Sequence, residues 1–138
     1  MKKEKSFWVA VFAGFIVLAA GDILIHRVWL RDLYDQLAQF WRPAAEMQAR
    51  AWLPFLSEFA LAFLLAHIYP MGYEKGAPAG EGLRFGILMG LLIYLPATLM
   101  KYYVYPFPNY LFIVWFLRGV GEVALAGLAI ALAYKQIR

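Results

Sequence analysis

The chain has 138 residues, of which 64% are hydrophobic and only 16% are charged, whereas about a quarter of the residues in an ordinary soluble domain are charged. A soluble domain of this length has too little interior to bury so many apolar side chains. The composition therefore excludes a water-soluble enzyme, a disordered linker and a nucleic-acid-binding protein. The net charge of +4 fits basic residues that flank membrane spans, and the absence of cysteine excludes disulfides and thiol catalysis.

The first predicted membrane span covers residues 7–25 and carries no charge before Asp22. A bilayer-spanning helix needs about 20 apolar residues, and this run is too long for the apolar core of a typical signal peptide. The sequence therefore predicts a retained helix.

The linker that follows, residues 26–50, has apolar side chains at helical spacing and polar ones on the opposite face. This pattern predicts a short amphipathic helix in the outer membrane interface. The alternative is a helix packed on the ends of the membrane helices. The apolar positions are Leu30, Leu33, Tyr34, Leu37, Phe40 and Trp41.

Three further spans are predicted at residues 51–69, 83–105 and 110–134. No segment shows the alternation of about 10 residues that a transmembrane β-barrel requires. The predicted fold is thus an all-α bundle of four transmembrane helices in one domain, residues 1–138. Four spans place both termini on one side, and the Lys and Arg residues of the tails and loops divide seven to five in favour of that side. This bias predicts cytoplasmic termini.

Glycines recur every four residues at the start of the third span, at Gly82, Gly86 and Gly90. Small residues let helix backbones approach closely in a membrane, and Gly14 and Gly127 offer similar surfaces on the first and fourth spans. We expect these glycines to pack helices within one chain. The alternative is a homodimer or a docking face for another membrane protein.

Several polar side chains fall inside the predicted spans, where ionisable groups are costly and usually face the bundle interior or a water-filled cavity. Asp22 and His26 are four residues apart on one helix face, as are Arg118 and Glu122. We expect the polar residues to converge in one pocket that opens outward, with Trp29 and Trp115 as its apolar walls. The predicted pocket residues are Asp22, His26, Glu58, Tyr94, Lys101, Arg118 and Glu122.

The charges of this set do not balance, because three carboxylates face two cations, Lys101 and Arg118. The remaining negative charge can be cancelled by a protonated His26, a neutral carboxyl group or a bound cation. The competing interpretation is a buried ion network that only fixes which helices are neighbours.

Metal binding and catalysis have less support in the sequence. The candidate metal ligands are Asp22, His26, Glu58 and Glu122, which are ligands of suitable type, but the Glu-x-x-His pairs of di-metal bundles are absent. Phosphate-binding loops and hydrolase elbows are absent as well, and no cofactor is assigned. The predicted function is non-enzymatic binding of a small ligand or ion in the lipid bilayer. The alternatives are an accessory or assembly subunit of a larger membrane complex and a membrane-embedded metalloenzyme.

The layout resembles small bacterial four-helix integral membrane proteins of unknown function. The resemblance rests on the stretch from His26 to Leu30 at the end of the first span, the glycine-rich segment from Gly82 to Gly86, and the Gly/Ala-rich fourth span. It implies the four-helix fold and a place in the bacterial inner membrane, and it carries over no catalytic residue.

Overall fold

A computed structural model describes residues 2–74 and 76–137, and every regular element in these residues is helical. A π-helix, Ile23–Trp29, continues α1, and 3-10 turns lie at Ala38–Phe40 and Tyr69–Gly72. The α-helices are α1 (Lys2–Asp22), α2 (Arg31–Gln36), α3 (Ala44–Ala49), α4 (Trp52–Ile68), α5 (Pro78–Val104) and α6 (Asn109–Ile137).

Four helical segments are long and apolar enough to cross a membrane. They confirm the prediction of an all-α chain with four such helices, and we treat the protein as an integral membrane protein. Each segment extends beyond the apolar run that predicted it, because helical hydrogen bonds continue into the polar flanks. The segments are Lys3–Trp29, Trp52–Gly72, Pro78–Val104 and Asn109–Lys135.

Two prolines inside the spans have different consequences. Pro54 lies in the first turn of α4, where a backbone N–H has no intrahelical partner in any case. Pro96 lies within α5, where it removes the hydrogen bond to the carbonyl group four residues earlier. The helix nevertheless runs through Pro96 to Val104.

The antiparallel helices α1 and α6 form the centre of the arrangement. Helix α5 packs along α6, and α4 packs along α1. We call the end with the chain termini the terminal end and the end with the 30–51 and 105–108 connections the loop end. A large apolar core fills the terminal half, and a smaller aromatic-rich core lies at the loop end.

The glycine stripe of α5 lies against the backbone of α6. A Cβ atom added at Gly86 would lie 2.6 Å from the Ala124 Cα atom, and one added at Gly82 would lie 2.6 Å from the Ala131 Cβ atom. Gly90 faces Val120 in the same way. The glycine stripe therefore forms a helix–helix contact within the chain.

Glycines of the partner helices complete these contacts. Gly127 of α6 lies against Gly82 and Gly86. A Cβ atom added at Gly14 of α1 would lie 3.0 Å from the Ile130 Cδ1 atom of α6 and 3.5 Å from the Ala62 Cβ atom of α4. The helix pairs α5–α6, α1–α6 and α1–α4 thus each meet where a side chain is small or missing.

The 30–51 connection differs from the single amphipathic helix predicted for it. It consists of α2, a 3-10 turn and α3. Pro43 separates the 3-10 turn from α3, because proline disfavours helical geometry at the residue before it. Its apolar side packs against the loop-end core, where Leu30 is only 1% exposed. The core residues that it meets are Phe107, Leu111, Phe112, Val114 and Trp115.

Candidate functional site

Arg118 of α6 joins two carboxylates in the interior of the loop-end half. Its Nη1 atom donates to Glu122 Oε2 at 2.9 Å and to Asp22 Oδ1 at 3.3 Å. Glu122 follows one turn later on α6, whereas Asp22 comes from the end of α1. A single arginine thus serves as counter-ion for carboxylates on both central helices.

His26 extends this network toward the loop end. Its Nε2 atom lies 3.4 Å from Asp22 Oδ1, and its Nδ1 atom is hydrogen-bonded to the Tyr34 hydroxyl group. The Trp115 indole donates to the same hydroxyl oxygen at 2.7 Å. The contacts therefore connect α1, the linker and α6.

The Tyr34 hydroxyl group takes part in two hydrogen bonds. An indole nitrogen only donates, so the Tyr34 oxygen accepts from Trp115. The direction of the Tyr34–His26 bond depends on the histidine tautomer. Burial raises the pKa of Tyr34 above its ordinary value, so the hydroxyl group keeps its proton at neutral pH.

The π-helix places His26 in this position. The Leu30 N–H group donates to the Ile25 carbonyl oxygen at 2.8 Å, five residues back rather than four. This wider turn begins directly after Asp22 and includes His26. Such segments are rare and often occur at functional sites.

Helices α4 and α5 each add one residue to the site. Glu58 of α4 is close enough to Asp22 and Arg118 for their charges to interact. From α5, the Tyr94 ring lies with its centroid 5.7 Å from the Arg118 guanidinium carbon. We call Asp22, His26, Glu58, Tyr94, Arg118 and Glu122 the polar cluster.

Two atoms at the inner end of the polar cluster are buried without a hydrogen-bond partner among the described residues. They are Glu122 Oε1 and Arg118 Nε. The Glu122 side chain lies against Gly21, where an added Cβ would be 2.7 Å from Oε1. The absence of a side chain at Gly21 therefore makes room for this carboxylate.

Glu58 differs from the other carboxylates of the polar cluster. Within residues 2–74 and 76–137, no hydrogen bond or salt bridge reaches its side chain. It is half-buried rather than solvent-exposed. Among the described residues, Glu58 is thus the carboxyl group of the cluster that forms no salt bridge.

An aromatic cavity of about 250 Å³ adjoins the polar cluster at the loop end, lined by Tyr34, Trp41, Met47 and Trp115. The Trp41 indole donates to the Tyr34 carbonyl oxygen at 3.1 Å. Sequence reasoning missed Tyr34, Trp41 and Met47 as site residues. The available signal was the helical spacing of aromatic side chains in the linker.

The remaining predicted residues take different positions. The Lys101 ammonium group lies 5.1 Å from the centroid of the Trp115 ring, at the border of the aromatic cavity. Trp29 is 60% exposed and takes part in none of the described cluster contacts. Across residues 2–74 and 76–137, no three His, Asp or Glu side chains are grouped so that they could hold a metal ion.

The polar cluster has more acidic than basic side chains. Asp22, Glu58 and Glu122 supply three carboxyl groups, and Arg118 is the strong cation among the six residues of the cluster. If all three carboxyl groups are ionised, the cluster carries a net negative charge. An arginine does not give up its proton in proteins, so the contact chain cannot pass a proton from Asp22 through Arg118 to Glu122. The arrangement is suited to attracting and holding a positive charge.

Comparison with protein families, curated proteins and solved structures finds no match to this chain.

Proposed function

We propose that this integral membrane protein is non-enzymatic and binds a small, positively charged ligand or ion at the polar cluster. The observation that carries the proposal is that Arg118 forms salt bridges with only two of the three acidic side chains of the cluster. This residue pairs with Asp22 and Glu122, and Glu58 beside them forms no salt bridge within residues 2–74 and 76–137. Removing a carboxylate from water without pairing it is costly, so a bound cation would stabilise this arrangement.

The exposure of the polar cluster supports access from the loop end. The side chains of His26 and Asp22 are 26% and 25% exposed, whereas those of Arg118 and Glu122 are 11% and 9% exposed. Exposure therefore falls with depth along the cluster. With cytoplasmic termini in a bacterial inner membrane, as the charge bias and the resemblance suggest, the loop end faces outward.

The alternative function as an assembly subunit rested on the glycine stripes. Gly82, Gly86 and Gly90 now have a role inside the chain, where they contact α6. A homodimer would have to use another surface. We therefore place ligand binding ahead of assembly.

The test is equilibrium binding of tetramethylammonium to the purified full chain in mild detergent. Its permanent charge and lack of hydrogen-bond donors make its binding independent of hydrogen bonds and of the pH of the probe. We expect saturable binding that Glu58→Gln weakens at least about tenfold, which corresponds to about 1.4 kcal/mol. The matched control is Glu74→Gln, which removes an exposed carboxylate paired with Arg84 at the terminal end.

Two results would overturn the proposal. One is the absence of saturable binding to the wild-type protein. The other is equal affinity of the wild type and Glu58→Gln. If Glu58→Gln instead increased stability and the wild type bound nothing, the polar cluster would be a structural ion network.

A further inference from the structure

The aromatic cavity and the polar cluster share a residue. Tyr34 lines the cavity, and its hydroxyl group is hydrogen-bonded to His26. His26 in turn lies 3.4 Å from Asp22. Two side chains, Tyr34 and His26, therefore lie between a ligand in the cavity and the Asp22 carboxylate.

The walls of the cavity expose no polar surface. The indole N–H groups of Trp41 and Trp115 are both used in bonds to Tyr34, and Met47 adds an apolar thioether side chain to the lining. Aromatic faces attract cations, and aromatic cages are a known way of binding quaternary ammonium groups. Sulfur and ring contacts also favour an apolar ligand body.

One cation of the chain already uses this surface. The Lys101 ammonium group lies over the Trp115 ring, and no carboxylate in residues 2–74 or 76–137 forms a salt bridge with it. Lys101 is exposed and its side chain is flexible, so it can leave the ring. An organic cation bound in the cavity would be repelled by this ammonium group.

From these contacts we infer that the cavity of Tyr34, Trp41, Met47 and Trp115 holds the apolar or aromatic body of the ligand. The ligand is then an amphipathic organic cation. This inference rests on the proposed function, because the polar cluster supplies the attraction for the charge. The carboxyl groups of the cluster favour a cation over an anionic amphiphile, for which Lys101 would be a partner near the Trp115 ring.

The experiment compares probes that differ in one feature. Phenyltrimethylammonium adds an aromatic ring to the tetramethylammonium headgroup, and benzenesulfonate carries the same ring with the opposite charge. Binding of each is measured on the full chain in detergent, with protein-free micelles as the background. We expect phenyltrimethylammonium to bind at least about tenfold more tightly than tetramethylammonium, and benzenesulfonate to bind most weakly.

Two variants locate the ring in the cavity. Met47→Ala should weaken phenyltrimethylammonium binding several-fold and leave tetramethylammonium binding unchanged. Met71→Ala, at an exposed position of the terminal end, is its matched control. Lys101→Met should strengthen phenyltrimethylammonium binding several-fold, because the repelling ammonium group is removed.

The outcomes separate this inference from the proposed function. Binding of both cations with equal affinity, lost in Glu58→Gln and insensitive to Met47→Ala, would overturn the cavity assignment and keep the cation site. Tighter binding of benzenesulfonate, lost in Lys101→Met, would overturn the cationic ligand class. Absence of binding by either cation would overturn both proposals.

Discussion

Gly21 is the residue that gives Glu122 its position. An added Cβ would lie 2.7 Å from Glu122 Oε1 and 2.8 Å from its Cγ atom. In Gly21→Ala the carboxylate must shift and weaken its contact with Arg118. We expect Gly21→Ala to be about 1–3 kcal/mol less stable than a glycine-to-alanine change in open space, measured by reversible unfolding in mixed detergent micelles.

The control for this prediction is Gly121→Ala on α6, where an added Cβ meets no atom within 4 Å. Alanine is a better helix former than glycine by about 1 kcal/mol, so the control corrects for helix propensity. Equal stabilities of the two variants would show that Glu122 is not held by the Gly21 surface.

Some contacts of the polar cluster can be predicted from helix geometry, and others depend on the tertiary fold. The pairs Asp22–His26 and Arg118–Glu122 are each four residues apart, so helix periodicity alone places each pair on one face. Tyr34 meets Trp115 across 81 positions of the chain. Such a contact depends on how the linker folds back on α6, and no spacing rule encodes it.

At the scale of the elements, α5 and α6 depend on the glycine stripe. The Cβ of an alanine at position 86 would lie 2.6 Å from the Ala124 Cα atom, which belongs to the backbone and cannot rotate away. The helices must therefore separate along their contact. We expect Gly86→Ala to lower the free energy of unfolding by about 2–3 kcal/mol, with Gly80→Ala, in open space, as the control.

The same experiment tests where the stripe acts. If Gly86→Ala left the stability unchanged but altered the oligomeric state in detergent, the stripe would face a second copy rather than α6. The spacing of the glycines predicted a close helix contact in either case. The choice of partner depends on the tertiary arrangement, which the spacing does not contain.

The π-helix and the divided linker are two features that the helical spacing of apolar residues does not predict. The first span was predicted to end at residue 25, but the helix continues to Trp29 as a π-helix. The change from four-residue to five-residue hydrogen bonding has no marker in the sequence. One short helix was predicted in the linker because the apolar side chains from Leu30 to Trp41 recur at helical spacing. Instead, α2 ends before Leu37, which packs against the loop-end core.

At the scale of the whole molecule, the two halves differ in their interior. The loop-end half contains the polar cluster, whereas the terminal half contains fully buried apolar side chains such as Leu18, Leu65, Val123 and Ile130. Hydropathy predicted four spans, because the bilayer imposes length and composition on each helix. The closed apolar half could not be predicted, because it depends on the α4–α1–α6–α5 order of the helices.

This division predicts that the polar cluster is accessible from one side only. The chain has no cysteine, so single cysteines report without background. In sealed proteoliposomes, a membrane-impermeant thiol reagent should label Glu58→Cys from the same side as Gln36→Cys, an exposed position of the linker. Glu74→Cys, exposed at the terminal end, should be labelled from the opposite side.

Ala62→Cys completes the set, because Ala62 lies one turn beyond Glu58 on α4 and is 0% exposed. It should react from neither side, since the apolar core separates the cluster from the terminal end. Labelling of Glu58→Cys from the side of Glu74→Cys would show a continuous water path across the molecule, as in a channel. Failure of Glu58→Cys to react from either side would show a sealed ion network, because a ligand entering from the loop end needs the route that the reagent probes.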